Sequence, residues 1–141
     1  MADVHSVERR SHNMSRIKSK NTKPEILVRK FLHAQGFRYR LHSSKLPGKP
    51  DLVLLKLKTV IFINGCFWHG HENCKYYHVP KTKTEWWLEK IYRNKARDFS
   101  HIKNLKALGW NIIVIWECNL KKGFLPITLN QLLFDLLRER E

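Results

Sequence analysis

The chain has 141 residues, 43% of them hydrophobic, with five Trp, four Tyr and seven Phe, and it carries 27 Lys and Arg against 12 Asp and Glu for a formal charge of +15. That size fits one domain around a single core, the apolar content excludes a disordered basic tail, and the charge points to a polyanion, nucleic acid ahead of anionic lipid. No run of about 18 apolar residues could span a membrane, and MADVHSVERRSHN lacks the apolar core of a signal peptide, so a reducing cytoplasm is the expected compartment.

Residues 1–21 are polar and basic, with Arg9, Arg10, Arg16, Lys18 and Lys20. They read as an arm that orders on a partner, or else as a frayed terminus. Residues 22–141 form the expected single domain. Thr22-Lys23-Pro24-Glu25 has capping-box spacing with Pro in the first turn. It predicts a helix to about Gln35 that buries Leu27, Val28, Phe31 and Leu32 and stops at Gly36. Phe37 to Leu41 alternates with period two and predicts a half-buried strand. After the loop SSKLPGKP, Leu52 to Leu55 continue as a strand, and Thr59 to Ile63, apolar on both faces, predicts a central one. The loop NGCFWHGHENC and a polar linker, YYHVPKTK, precede a helix from about Thr84 to Leu108. Ile112 to Trp116 reads as a second fully buried strand. From Thr128, Leu129, Leu132, Leu133, Leu136 and Leu137 form one helical stripe, either core or a partner-binding face. The outline α-β-β-β-α-β-α predicts an α/β sandwich around a mixed sheet.

Cys66 and Cys74 flank a loop that also holds His71, and Cys118 follows the strand ending at Trp116. Three thiolates and one imidazole suit a tetrahedral Zn2+ site that pins the loop to the late strand. Alternatively, Cys66 and Cys118 are small buried hydrophobes. The odd cysteine count and reducing compartment argue against disulfides. His69 is the imidazole left over, either a general base or an ordinary surface histidine. Asp51, heading a strand after PGKP, sits where Mg2+ can bridge protein and phosphate. Glu25 either caps its helix or places a second carboxylate nearby. Phe67 and Trp68, and Trp86 and Trp87 beyond Lys81-Thr82-Lys83, interleave aromatics with cations. Such residues stack on bases or wedge between base pairs, or pack in the core, one of the adjacent tryptophans facing inward. Trp110 and Trp116 are expected in the core.

The order PGKPD, TVIFINGCFWHGHENC, KTKTEWWLEKIYRNKARD and GWNIIVIWEC, preceded by RSHNMSRIKSKNTKPE, resembles the very-short-patch-repair (Vsr) DNA mismatch endonucleases over about residues 9–120. The C-F-W-H-x-H loop with its distant Cys is the most specific part. The resemblance implies a three-layer, restriction-endonuclease-like nuclease core with a structural zinc. It also implies Mg2+-dependent nicking of one DNA strand 5′ to the T of a T:G mismatch left by deaminated 5-methylcytosine. By position, Asp51 becomes the Mg2+ carboxylate, with the main-chain carbonyl of Ile63 as a further contact. His69 becomes the base and Asp98 its orienting partner. Cys66, His71, Cys74 and Cys118 hold zinc. Phe67, Trp68 and Trp87 wedge beside the mismatch, and the arm bearing Arg16, Lys18 and Lys20 crosses the minor groove. The implied partners are duplex DNA, a cognate cytosine methyltransferase and MutL-type repair proteins. The implied state is a monomer in the bacterial cytoplasm, at the nucleoid.

Two departures stand out. Related restriction nucleases follow the Pro-Asp with an acidic-x-Lys pair on the next strand, which here reads IFINGC. Asn64 stands where some members carry His, and retains an amide donor for a phosphate or acid-assisting role. Two activities stay open: mismatch nicking, and restriction or site-specific nicking that needs no mismatch. A non-enzymatic zinc module on distorted DNA needs none of Asp51, His69 and Asp98.

Overall fold

Thr22 starts the first helix: Glu25 N donates to its hydroxyl at 3.4 Å, and Pro24 lies in the opening turn, where its missing N–H costs nothing. The computed structural model describes residues 22–139. Its elements run α1 (Lys23–Ala34), β1 (Arg40–Leu41), β2 (Leu52–Leu54), a 3-10 turn (Leu55–Leu57), β3 (Thr59–Asn64), α2 (Thr84–Ala107), β4 (Asn111–Trp116), a second 3-10 turn (Glu117–Leu120) and α3 (Leu125–Glu139). The basic arm, with Arg16, Lys18 and Lys20, lies outside the described residues.

The strands form one mixed sheet in the order β1-β2-β3-β4. The first two pairings are antiparallel and β3 with β4 is parallel. A parallel pair needs a long crossover, and α2 supplies it. The register sets Leu52 beside Ile61 and Ile61 beside Ile113, while Val53, Val60 and Ile112 align on the next row. Matching parity across three strands makes each sheet face a continuous apolar surface. On one face Leu52, Leu54, Ile61 and Ile115 join Val28 and Leu32 of α1 and Leu132 and Leu136 of α3. On the other, Val53 and Val60 join Leu105 of α2 and Trp110. The result is three layers, α/β/α, as the apolar patterning predicts. Full burial of each such side chain contributes about 1.5–3 kcal/mol.

Several expectations need correction. The first strand shrinks to Arg40 and Leu41, both exposed, because Phe37 leaves the alternation to plug the core at 3% exposure. The strand after Asp51 ends at Leu54, where the chain turns into a 3-10 helix. Ile112 to Trp116 of β4 are half-buried except Ile115, and among the described residues β4 is the edge strand of the sheet. Leu27 and Phe31 lie at the flank of α1, half-buried, and Leu137 of α3 is 43% exposed. α3 itself begins at Leu125, ahead of Thr128. Among the described residues no helix is long and apolar enough to cross a membrane.

Candidate active site and metal centre

Asp51 sits one residue before β2, and the sheet holds it at both ends. Ile63 N of β3 donates to Asp51 Oδ2 at 2.7 Å, and His42 N donates to the Asp51 carbonyl at 3.1 Å. Glu25 reaches the same place from α1, and it is 2% exposed. Arg29 Nη1 donates to Glu25 Oε2 at 3.0 Å, and His42 Nε2 lies 2.8 Å from Glu25 Oε1. Donor atoms of Glu25, His42 and Asp51 all fall within 4.8 Å of one another. Burial pushes the Asp51 carboxyl up from 3.8 to about 6; the Ile63 N–H opposes that, the Glu25 charge reinforces it and His42 opposes it. Two carboxylates drawn together out of water repel unless a proton or a metal cation joins them. Their hard oxygens suit Mg2+, so this donor set fits that ion.

The second group comes from the loop after β3. His69 Nδ1 is hydrogen-bonded to Asp98 Oδ2 of α2 at 2.5 Å, which fixes the ring and leaves Nε2 for proton work. A small cavity beside the pair is lined by Gly48, Phe62, Asn64, His69, Asp98 and His101. The loop is seated on α2, with Asn94 Nδ2 donating to the Trp68 carbonyl at 2.8 Å. Gly70 allows that approach. Its φ is +60°, and a Cβ there would stand 2.6 Å from Ile91 Cγ2, inside van der Waals contact. Only glycine combines that dihedral with that clearance.

The loop's sulfurs gather on the other side. Cys66, His71, Cys74 and Cys118 place their donor atoms within 4.8 Å of one another. Cys118 Sγ lies 3.4 Å from His71 Nδ1, and Cys118 N donates to Cys66 Sγ at 3.4 Å. In a tetrahedron with Zn–S of about 2.3 Å and Zn–N of about 2.0–2.1 Å, sulfur and nitrogen are separated by about 3.5 Å. The chemistry and spacing of the donors therefore fit zinc. Burial pushes the Cys66 thiol up to about 12 and raises Cys118 as well. Burial also opposes ionisation of Cys74, but the backbone N–H groups of Tyr76 and Tyr77 and the neighbouring thiols bring it down on balance. Three crowded thiols cannot all ionise without a cation among them. Trp116, expected in the core, is instead half-buried and stacked on His71.

The aromatics form one cluster. Trp87 meets Phe67 at 5.3 Å, Trp68 at 6.0 Å and Trp86 at 4.7 Å between ring centroids. Trp87 is 3% exposed and Trp86 55%. The expectation that Trp87 presents itself to the duplex is corrected here, because its helical register turns it inward beneath Phe67 and Trp68. Trp86 is the exposed neighbour. Trp110, as expected, is core.

The fold thus brings Glu25 to Asp51, Asp98 to His69, Asn64 to their cavity, and the four zinc-type donors together. Ile63 faces Asp51 through its N–H in this structure. Arg29, His42, Asn94 and His101 had no sequence motif to mark them. The signal for His42 is one of register: with Leu41 paired to Leu52, residue 42 falls opposite residue 51.

Comparison with known proteins adds an independent line. The family described as DNA mismatch endonuclease Vsr matches residues 2–75. The chain is 50% identical over 137 residues to the type II nicking enzyme V.NmeAIP of Neisseria meningitidis, covering 96% of this chain and 97% of that protein. It is 44% identical to the type II nicking enzyme V.XorIIP of Xanthomonas oryzae, over 94% and 98% of the two chains. It is 45% identical to the DNA mismatch endonuclease Vsr of Escherichia coli K12, over 86% and 77%.

Proposed function

Since the chain belongs to the Vsr family and is a DNA endonuclease, we propose that it nicks one strand of duplex DNA 5′ to the T of a T:G mismatch, with Mg2+ at Asp51. The observation that carries the reading is the His69–Asp98 pair at 2.5 Å. It lines one cavity with Asn64, whose chain neighbour Ile63 holds Asp51. When bound, Mg2+ neutralises charge that develops on the scissile phosphate. The protein's own groups do the rest. Asp98 orients the His69 ring, and His69 Nε2 takes the proton from the attacking water. Asn64 offers an amide donor to a phosphate oxygen. Hydrolysis then leaves a 5′-phosphate and a 3′-hydroxyl. Phe67, Trp68 and Trp86 supply ring faces for unstacked bases. Zinc at Cys66, His71, Cys74 and Cys118 fixes the loop that bears His69.

The substrate follows from the same reading: deaminated 5-methylcytosine gives T opposite G, so a cytosine methyltransferase would act on the same sites. A second reading keeps the chemistry and drops the mismatch, because two of the relatives are named type II nicking enzymes. A nicking assay with Mg2+ on T:G and T:A duplexes of varied sequence separates them. Preferential cutting of T:G supports mismatch repair, and equal cutting of both supports site-specific nicking.

A further inference from the structure

Glu25 poses a problem that the proposed chemistry does not answer. A carboxylate 2% exposed is costly to keep ionised unless its oxygens are engaged. Here one oxygen receives Arg29 at 3.0 Å, one helical turn along α1, and the other faces His42 Nε2 at 2.8 Å. Arg29 and Glu25 share a helix, whereas His42 comes from the far side of the site. It lies just beyond β1 and is tied by its own backbone N–H to the Asp51 carbonyl at 3.1 Å. His42 also takes up a left-handed backbone conformation, φ 47°, unusual for a residue other than glycine. That conformation is held where its side chain meets Glu25 while its main chain meets Asp51.

We propose that His42 is a positioning residue for the divalent-metal site, clamping the Glu25 carboxylate at a fixed distance from Asp51. The inference rests on the proposed metal chemistry at Asp51. With both Glu25 oxygens already engaged by donors, its carboxylate is oriented rather than free to swing. Asp51 is in turn fixed by the bond that Ile63 N makes to its Oδ2. Partners of this kind, which orient a metal site's carboxylates, are typically worth about 10–100-fold in metal affinity.

The test is Mn2+ and Mg2+ binding by titration calorimetry and by Mn2+ electron paramagnetic resonance, on zinc-replete protein without DNA. His42→Ala is expected to weaken binding about 10–100-fold, and His42→Gln, whose amide can still donate to Glu25, to recover most of the loss. In a Glu25→Gln background His42→Ala should have little further effect, because the two residues act as one unit. Wild-type affinity in His42→Ala overturns the proposal. So does a folded His42→Gln that binds as poorly as the alanine variant, which would make the imidazole itself a ligand. Asp51→Asn is the control for the underlying reading. If it binds metal as tightly as wild type, the Asp51 site is misplaced and the role of His42 falls with it. If Asp51→Asn loses binding while His42→Ala keeps it, only the positioning role is lost.

Discussion

The His71 imidazole lies flat on the Trp116 indole, with ring centroids 4.0 Å apart and planes inclined by 5°. Trp116 ends β4 and His71 belongs to the sulfur-rich loop, so the stack joins that loop to the sheet. An aromatic stack adds about 0.5–1.5 kcal/mol beyond area burial. Trp116→Ala is therefore expected to speed zinc release to a competing chelator by roughly 2- to 12-fold. Trp116→Phe should stay near wild type. Unchanged release from the alanine variant would mean that the stack orients nothing.

His69 and His71 stand two residues apart and face different partners, Asp98 and Cys118. His69→Ala should slow nicking by roughly 10²–10⁴-fold, the usual worth of a general base. Zinc content, measured by atomic emission, should not change, because His69 is engaged by Asp98 and not by the thiols. Zinc loss from this variant would exchange the two roles.

Asp51 is expected to destabilise the protein that needs it. Its carboxyl is raised from 3.8 to about 6, chiefly by burial, so between those values the folded state holds a proton that the unfolded chain releases. The sign follows: stability from this group is full below about pH 4 and lost as pH rises through about 6. Without Mg2+ and at neutral pH, Asp51→Asn should be more stable than wild type by about 2–3 kcal/mol. The difference should vanish near pH 4, and Mg2+ should stabilise wild type but not the variant. Urea unfolding at the two pH values decides it, and an unstabilised Asp51→Asn counts against the buried-carboxylate account.

The adjacent tryptophans offer a matched pair. Trp87, at 3% exposure, should cost about 3–5 kcal/mol of folding stability when cut to alanine. Trp86, at 55% exposure, should change stability by no more than about 0.5 kcal/mol. Trp86→Ala should nonetheless weaken binding to a T:G duplex by about 1–3 kcal/mol, the worth of one stacked base. Denaturation and fluorescence-anisotropy binding on the two variants check both halves. Equal stability losses would remove the distinction between support and contact.

Element order and layering were legible because they depend on local pattern: an unbroken apolar run through Thr59 to Ile63, helical spacing through α1 and α3. The zinc-type donors were legible because three of the four sit within nine residues of one another. The failures share a cause, which is that they depend on what lies across the sheet. Ile112 to Trp116 is as apolar as a central strand, yet among the described residues β4 is an edge strand, which no pattern within it records. Trp86 and Trp87 differ only by helical phase, so choosing the inward one requires the docking angle of α2. His42 becomes visible only once β1 and β2 are in register, and Glu25 stayed between cap and second carboxylate because His42 and Asp51 reach it from other elements.

The parallel pairing of β3 with β4 also brings two distant thiols of the donor cluster together. Asn64 pairs with Trp116, and Cys66 and Cys118 each lie two residues beyond that last rung. Though 52 residues apart in sequence, they are brought to 3.4 Å contact by the ladder itself. Closing so long a connection carries an entropic cost that grows with the logarithm of its length, and the rungs from Thr59–Asn111 to Asn64–Trp116 hold it closed. A metal ion held by Cys66, His71, Cys74 and Cys118 would strengthen the native state, and if it binds only after the strands pair it would act on the unfolding rate. The ladder joins the two halves of the donor set, and a metal ion held there would lengthen the lifetime of each folded copy.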